Sequence, residues 1–326
     1  MLLDIKPSHE PSSNCIEDIF ATLVKWKNKD CALIFSNAWS FHYKRLNAEH
    51  ELLSARIDIY REGFKQLECS VASHYGIKAS WKNTDDYKKI IRIAETEISK
   101  GNPIGIYIDT FWCPWNIAYQ KHHIPHYCLV VEVKDTEFVC VDSYISAKRE
   151  LLSFKDFSYG YGTFFTLSFE QVIRGPDWKS IMINAAAEAI KSDNRVNDFD
   201  NMRACANEIK TYKNMKDEFS EYDDITYAPI IRRLNYISYG RKNFAKVLLY
   251  FYKKDNITEL KNFAEELNGA GLKWSLINNL LFKYYFEGFG EDKLENLYMR
   301  INQIADYEEN VAKKLLHFAE KYTGAV

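Results

Sequence analysis

The stretch HHIPHYCLVVEVKDTEFVCVDSY, residues 122–144, predicts a β-hairpin and constrains the fold more than any other part of the chain. In residues 127–133 and 137–141, apolar side chains alternate with polar ones or follow one another directly, and many of them are β-branched. The short polar sequence KDT lies between these two stretches and predicts the turn. His126 stands just before the first strand and Asp142 just after the second, so antiparallel pairing places them side by side. An imidazole that contacts a carboxylate is suited to act as an oriented general base.

Cys15 is the candidate nucleophile for this base. Residues 15–26, CIEDIFATLVKW, carry apolar side chains at helical spacing, and Asn14 has the side chain of an N-cap. Cys15 therefore lies in the first turn of a predicted helix, where backbone N–H groups and the positive end of the helix dipole favour a thiolate. The same N–H groups can bind the oxyanion of a tetrahedral intermediate.

The secondary-structure pattern of the sequence changes near residue 175, and this change predicts two domains. The chain has 326 residues, of which 47% are hydrophobic, and this is enough for two cores. Residues 1–175 mix strand and helix patterns, whereas residues 176–326 show helical periodicity and no clear strand. We expect an α+β first domain with a mixed sheet and a helix that carries the nucleophile, followed by an all-α second domain.

Charge and composition exclude several function classes. The net charge of −2 provides no basic face for nucleic acid, and no apolar run approaches the roughly 20 residues that span a bilayer. The start of the chain lacks the pattern of a signal peptide, so we expect a cytoplasmic protein. The seven cysteines are odd in number and form no CxxC, which indicates reduced thiols, one of which can be singled out for reactivity.

The order Cys15, His126, Asp142 along the chain is that of papain-like cysteine enzymes, although the papain signature C-G-[SA]-C-[WY] is absent. The sequence resembles the butirosin biosynthesis protein H N-terminal family, a branch of the C39-peptidase-like papain fold. The resemblance rests on the motifs NCIEDIF, GNPIGIYIDTFWCPW, HYCLVV and VCVDS, in that order. The helical half, with SYGRKNFAKVLLYF and GAGLKWSLINNLLF, is similar to the domain that usually follows.

The resemblance implies an acyltransferase of antibiotic or nonribosomal peptide biosynthesis. Such an enzyme takes an acyl chain from the phosphopantetheine thioester of an acyl carrier protein and passes it to a small amine, forming an amide. The acceptor is an amino sugar in the butirosin case and a diamine in closthioamide assembly. Carried over to this sequence, Cys15 would be the nucleophile, His126 the base and Asp142 the orienting carboxylate. No bound cofactor is implied, because the carrier protein supplies the phosphopantetheine.

The remaining candidate residues surround this triad. C39-like enzymes place a Gln before the cysteine to complete the oxyanion hole; here the corresponding position is about His9, and His9 or the Asn14 amide is expected to donate instead. The loop before the hairpin supplies expected cleft and substrate contacts, which are Trp112, Trp115 and Tyr119 as walls and Asp109 as a partner for a cationic amine.

Each assignment has an alternative. Cys15 is otherwise one more half-buried cysteine, His126 a structural histidine and Asp142 a turn residue. A peptidase, amidase or thioesterase would use the same triad with water as acceptor, and a binding module would use none of it. A zinc site is a further alternative, with the possible ligands His122, His123, Cys113 and Cys128, although Pro125 breaks the helix that ligands at i and i+4 would need.

Overall fold

The computed structural model describes residues 1–45, 52–58, 64–173, 175–190, 196–212 and 214–322. The chain divides into two compact units, and the first combines Met1–Ile34 with Leu67–Gly175. The second combines Phe35–Gln66 with Pro176–Val326. The chain passes from the first unit to the second after Gly175. In addition, Phe35–Gln66, which the sequence analysis placed in the first domain, groups with the helical unit.

A six-stranded sheet forms the centre of the first unit, in the order β3-β8-β4-β5-β6-β7. Its strands are β3 (Ile77–Lys82), β4 (Ile104–Asp109), β5 (Pro125–Val133), β6 (Glu137–Val141), β7 (Arg149–Ser153) and β8 (Tyr161–Phe169). The α+β class predicted from the sequence is confirmed. Every pairing in this sheet is antiparallel, so the expectation of a mixed sheet is wrong. The reason is topological: β8 returns between β3 and β4 and runs opposite to both.

The predicted hairpin is β5 and β6, and its backbone N–H of Lys134 donates to Glu137 O at 2.9 Å across the turn. β5 begins two residues earlier than predicted, so His126 lies inside the strand, where it pairs with Ile108 of β4. Asp142 follows the last residue of β6, as expected. Most residues of the interior strands β4 and β5 are buried, which holds the hairpin in a fixed position.

Helix α1 (Cys15–Trp26) begins at the candidate nucleophile because Asn14 caps it. The Asn14 side chain accepts the N–H groups of Ile16 and Glu17, and the Glu17 carboxylate accepts the Asn14 N–H at 2.8 Å, which completes a capping box. The middle of the helix is buried and α1 packs against β5. Sequence-local capping and core packing together fix the position of Cys15 beside the strand that carries His126.

The other helices of the first unit connect or cover the sheet. They are α3 (Lys65–Tyr75), α4 (Tyr87–Ser99) and α5 (Phe154–Gly160), with short 3₁₀ turns at Ala32–Phe35 and Thr110–Trp112. Helix α4 also packs against β5. Gly105 in β4 is required by close packing, because a Cβ there would lie 1.9 Å from the Phe165 ring of the neighbouring strand.

The second unit consists mainly of helices. They are α2 (Leu53–Arg56), α6 (Trp178–Ile190), α7 (Asp198–Thr211), α8 (Pro229–Asp255), α9 (Glu259–Glu287) and α10 (Glu291–Lys321), with 3₁₀ turns at Met215–Phe219 and Ile225–Tyr227. A two-stranded antiparallel ribbon, β1 (His42–Tyr43) with β2 (Ile57–Asp58), belongs to the same unit. None of the helices in the described ranges is long and apolar enough to cross a membrane.

Buried carboxylates attach Phe35–Gln66 to the helices of this unit. Glu308 of α10 is fully buried, and it accepts the indole N–H groups of Trp39 at 2.9 Å and Trp274 at 2.8 Å. The Arg241 guanidinium donates to both of its oxygens, at 3.0 and 3.1 Å. Three further carboxylates bind the same segment: Asp198 accepts the N–H of Phe41, Glu218 that of Leu53, and Glu208 pairs with Arg56.

We predict that Glu308→Ala lowers the free energy of unfolding by about 3–5 kcal/mol, because it leaves the buried Arg241 charge without its carboxylate. Glu320→Ala on the exposed side of the same helix is the control, with an expected change within about 0.5 kcal/mol. Urea unfolding followed by circular dichroism measures both variants. Equal stability of the two variants would show that the carboxylate is not a structural centre of this unit.

Candidate active site

The structure brings the three predicted residues of the triad together. His126 Nε2 lies 2.7 Å from Asp142 Oδ2, and the two residues are only 4% and 1% exposed. The Cys15 side chain is a hydrogen-bond partner of the His126 ring. Because Nε2 faces Asp142, Nδ1 is the ring nitrogen left for the sulfur. The arrangement is a sulfur, an imidazole and a carboxylate in a row, as nucleophilic catalysis requires.

The charge on Asp142 controls the protonation of His126. Burial by itself would lower the pKa of His126, but the Asp142 charge and hydrogen bond, helped by Cys15, outweigh burial and raise that pKa well above its usual value. The imidazolium is therefore the favoured form at neutral pH. An imidazolium beside a cysteine stabilises the thiolate form of that cysteine.

Cys15 differs from the other cysteines in its surroundings. All of the others except Cys69 are buried, whereas Cys15 is partly exposed at the start of α1. Burial raises the pKa of Cys31 and of Cys205 to about 12, which keeps those thiols protonated. Cys69 is exposed on α3 and provides a natural comparison for the reactivity of Cys15.

Trp115 contacts the triad itself. Its indole Nε1 donates to Asp142 Oδ2 at 2.7 Å, the same oxygen that binds His126. The second oxygen, Oδ1, is buried and has no hydrogen-bond partner among the described atoms. The sequence placed Trp115 in the loop before the hairpin but contained no local signal that its N–H would reach Asp142.

The other loop residues have separate contacts. The Trp112 ring packs on Tyr159 at 4.6 Å and lies against Gly160 of α5, and Tyr119 is half-buried, with its N–H donating to Asn116 O at 2.9 Å. Asp109 accepts the N–H of Phe111 at 3.0 Å and its second oxygen lies 2.6 Å from His123 Nδ1.

These contacts also bear on the zinc alternative. His123 is engaged with Asp109 and stacks on Phe111, and Cys113 is fully buried. Over the described ranges, no group of three or more His, Cys, Asp or Glu side chains is arranged to hold a metal ion.

Both expected oxyanion donors contact the first turn of α1. Asn14 uses its side-chain oxygen and its backbone N–H in the capping box. His9 Nδ1 lies 2.6 Å from Asp18 Oδ2, and the fully buried Asp18 carboxylate also accepts the Glu10 N–H and the Ser13 hydroxyl. The His9 ring is thereby oriented, with Nε2 as its remaining nitrogen.

Tyr144 connects the two imidazoles, and sequence reasoning did not single it out. Its ring lies 6.0 Å from that of His9 and 6.3 Å from that of His126, measured between centroids. Asp18 was also missed as a site residue, although it lies three residues after Cys15, in the first turn of α1.

Comparison with known proteins identifies the part of the chain that contains the triad. Residues 14–143 match the sequence model of a family described as "Butirosin biosynthesis protein H, N-terminal". The matched range includes Cys15, His126 and Asp142, and it excludes His9. A search of curated proteins finds no significant match.

We predict that Asp142→Asn moves the pKa of His126 from above its usual value to below it, because burial then acts without the opposing charge. Nitrogen-15 NMR of the histidine rings between pH 5 and 10 measures this, with the exposed His123 as a control that should not move. A raised pKa in the folded state also stabilises the wild type below about pH 6.5. This stabilisation should be lost as the pH rises through the raised pKa. An unchanged His126 titration in the variant would contradict the prediction.

Proposed function

We propose that this chain is a biosynthetic acyltransferase that forms amides through an acyl-Cys15 intermediate, because residues 14–143 match the sequence model of the butirosin biosynthesis protein H N-terminal family. The donor is an acyl or peptidyl chain on the phosphopantetheine of a carrier protein, and the acceptor is a small amine such as a diamine or an amino sugar. The observation that carries the proposal is a row of three hydrogen-bonded side chains, Cys15, His126 and Asp142, in which Cys15 stands at the start of a capped helix.

In the first half-reaction the Cys15 thiolate attacks the carbonyl carbon of the carrier thioester. The tetrahedral intermediate collapses with cleavage of the bond to the pantetheine sulfur. The His126 imidazolium donates its Nδ1 proton to that departing sulfur, and the products are acyl-Cys15 and the free pantetheine thiol. One thioester replaces another, so the step is close to isoenergetic.

Asp142 keeps the imidazole in place through both transfers. Its hydrogen bond to Nε2 leaves Nδ1 directed at the sulfur and stabilises the imidazolium, which donates its proton in the first half-reaction and forms again in the second. Because the carboxylate is buried, its charge acts on His126 with little screening by solvent.

The oxyanion is stabilised by donors at the start of α1. The backbone N–H of Cys15, as the first residue of the helix, is one proposed donor, and Asn14 acts by capping that turn. His9 is the proposed second donor, through Nε2. Because Nδ1 shares its proton with Asp18, His9 donates from Nε2 only as an imidazolium. The buried Asp18 carboxylate, 2.6 Å from Nδ1, orients the ring for this donation.

In the second half-reaction the amine attacks acyl-Cys15, and the neutral His126 takes up the proton that the nitrogen loses. The amide is released and the Cys15 thiolate with its imidazolium is restored. We assign Trp112 and Tyr119 to the wall of the acceptor cleft and Asp109, with its partner His123, to the acceptor's positive charge. Exclusion of water by this loop favours the amine over hydrolysis.

We expect intact-mass spectrometry to detect an acyl adduct after incubation with an acyl-pantetheine thioester, and Cys15→Ala to lose it completely. Cys69→Ala is the control, since Cys69 is exposed but has no imidazole partner in the described contacts. Added diamine should discharge the adduct faster than water does. Discharge by water alone would identify a thioesterase or peptidase, and undiminished labelling of Cys15→Ala would exclude the covalent mechanism.

We predict that His9→Ala slows adduct formation by roughly 10²-fold, the usual cost of losing one oxyanion donor. His9→Gln, which keeps a neutral N–H donor, should recover most of the rate. The measurement is the rate of adduct formation under single-turnover conditions, with His122→Ala as the control. A wild-type rate in His9→Ala would remove His9 from the oxyanion site.

A further inference from the structure

The Asp142 carboxylate is bonded asymmetrically. Oδ2 accepts from His126 Nε2 and from Trp115 Nε1, both at 2.7 Å, while the buried Oδ1 accepts from no described atom. A carboxylate that is 1% exposed has little water to compensate for an empty oxygen. Both donors therefore compete for the negative charge on one atom.

We propose that Trp115 is a positioning residue, whose indole N–H holds the Asp142 carboxylate with Oδ2 toward His126 and sets how much charge that oxygen presents to the imidazole. The proposal rests on the acyltransferase function proposed above. It gives Trp115 an action through Asp142, in place of the substrate contact expected from the sequence.

The loop that carries Trp115 is built to hold the indole in place. Cys113 is fully buried at its start, and its sulfur accepts the backbone N–H groups of Trp115 and Asn116. The Cys113 N–H donates to Thr110 O at 3.1 Å, and the Asn116 side chain accepts the N–H of Ala118 at 2.9 Å. The backbone on both sides of Trp115 is therefore fixed, so the indole N–H reaches Asp142 without first ordering a mobile chain.

The competition between the donors gives the proposal a definite sign. When His126 is neutral, the indole N–H is the main group that stabilises the Asp142 charge; when His126 is an imidazolium, the two share it. The indole therefore stabilises the deprotonated state of the pair more than the protonated state. Removal of the indole N–H should make His126 hold its proton to higher pH.

The ionisable groups that face the pair come from several elements. They are Cys15 of α1, Cys113 of the loop, Cys128 of β5 with its neighbour Cys140 of β6, and Tyr144 after β6. Burial raises the pKa of Cys113, and both burial and a hydrogen bond with Cys140 raise that of Cys128, with the hydrogen bond the larger cause. The thiols of Cys113 and Cys128 therefore stay uncharged through neutral pH, and the groups whose charge acts on His126 are Asp142 and Cys15.

The test compares Trp115→Phe with Trp26→Phe, an indole at the end of α1 that packs on Phe169, and measures the rate of acyl-Cys15 formation between pH 6 and 10. For Trp115→Phe we expect the alkaline decline in rate to move upward by about 0.5 of a pH unit and the plateau to fall roughly 10-fold. Trp26→Phe should keep the wild-type alkaline decline. The proposal is overturned if the plateau rate of Trp115→Phe falls while its alkaline decline stays at the wild-type pH, or if that decline moves to lower pH.

A second measurement uses the wild-type protein and needs no activity. The Trp115 indole N–H resonance, assigned with the two variants, should lie downfield and titrate together with the His126 ring in ¹⁵N NMR. If the chemical shift of the Trp115 indole N–H does not change as His126 titrates, the proposal is overturned, even if the protein forms the acyl adduct. If the two resonances titrate together but no thioester yields an adduct, the positioning role stands and the acyltransferase function fails.

Discussion

The interaction on which the candidate site depends is the buried pair of His126 and Asp142. Two neighbouring strands of an antiparallel hairpin bring these residues together, and burial makes their attraction strong because little solvent screens it. Burial of an isolated carboxylate would cost several kcal/mol, so Asp142 persists only with its partners in place. The hairpin supplies both members of the pair, the start of α1 adds Cys15 and the loop before the hairpin adds the indole N–H of Trp115.

Buried carboxylates that accept several hydrogen bonds also occur elsewhere in the chain. Asp18 holds His9, and Glu308 holds Arg241 and two indole N–H groups in the second unit. In each case a fully buried carboxylate accepts hydrogen bonds from a segment that the apolar pattern alone would not fix. Carboxylates of this kind add specificity more than net stability, because a mispacked segment would leave the charge without its donors.

Sequence reasoning succeeded where the signal is local. Alternation of side chains located the hairpin to within two residues, and the Asn14 cap located the start of the helix that carries Cys15. It failed where distant segments meet, because an apolar pattern reports which residues are buried and not which neighbour buries them. The insertion of β8 between β3 and β4 and the bond from Trp115 to Asp142 are of this kind. The inclusion of Phe35–Gln66 in the second unit is a further example, because this segment is attached by carboxylates that lie far along the chain.

On the proposed function, the raised pKa of His126 suits transfer to an amine better than peptide cleavage. An imidazolium of high pKa is a weak acid, which is sufficient for a departing thiol, whose own usual pKa is about 8.5. The nitrogen leaving group of a peptide is far more basic and needs a stronger acid in the transition state. Once the pantetheine thiol has taken the proton, the neutral His126 is a correspondingly strong base, and an amine that attacks a thioester must lose a proton to form an amide. In the proposed reaction, the Asp142 charge thus prepares one imidazole for both halves of the transfer.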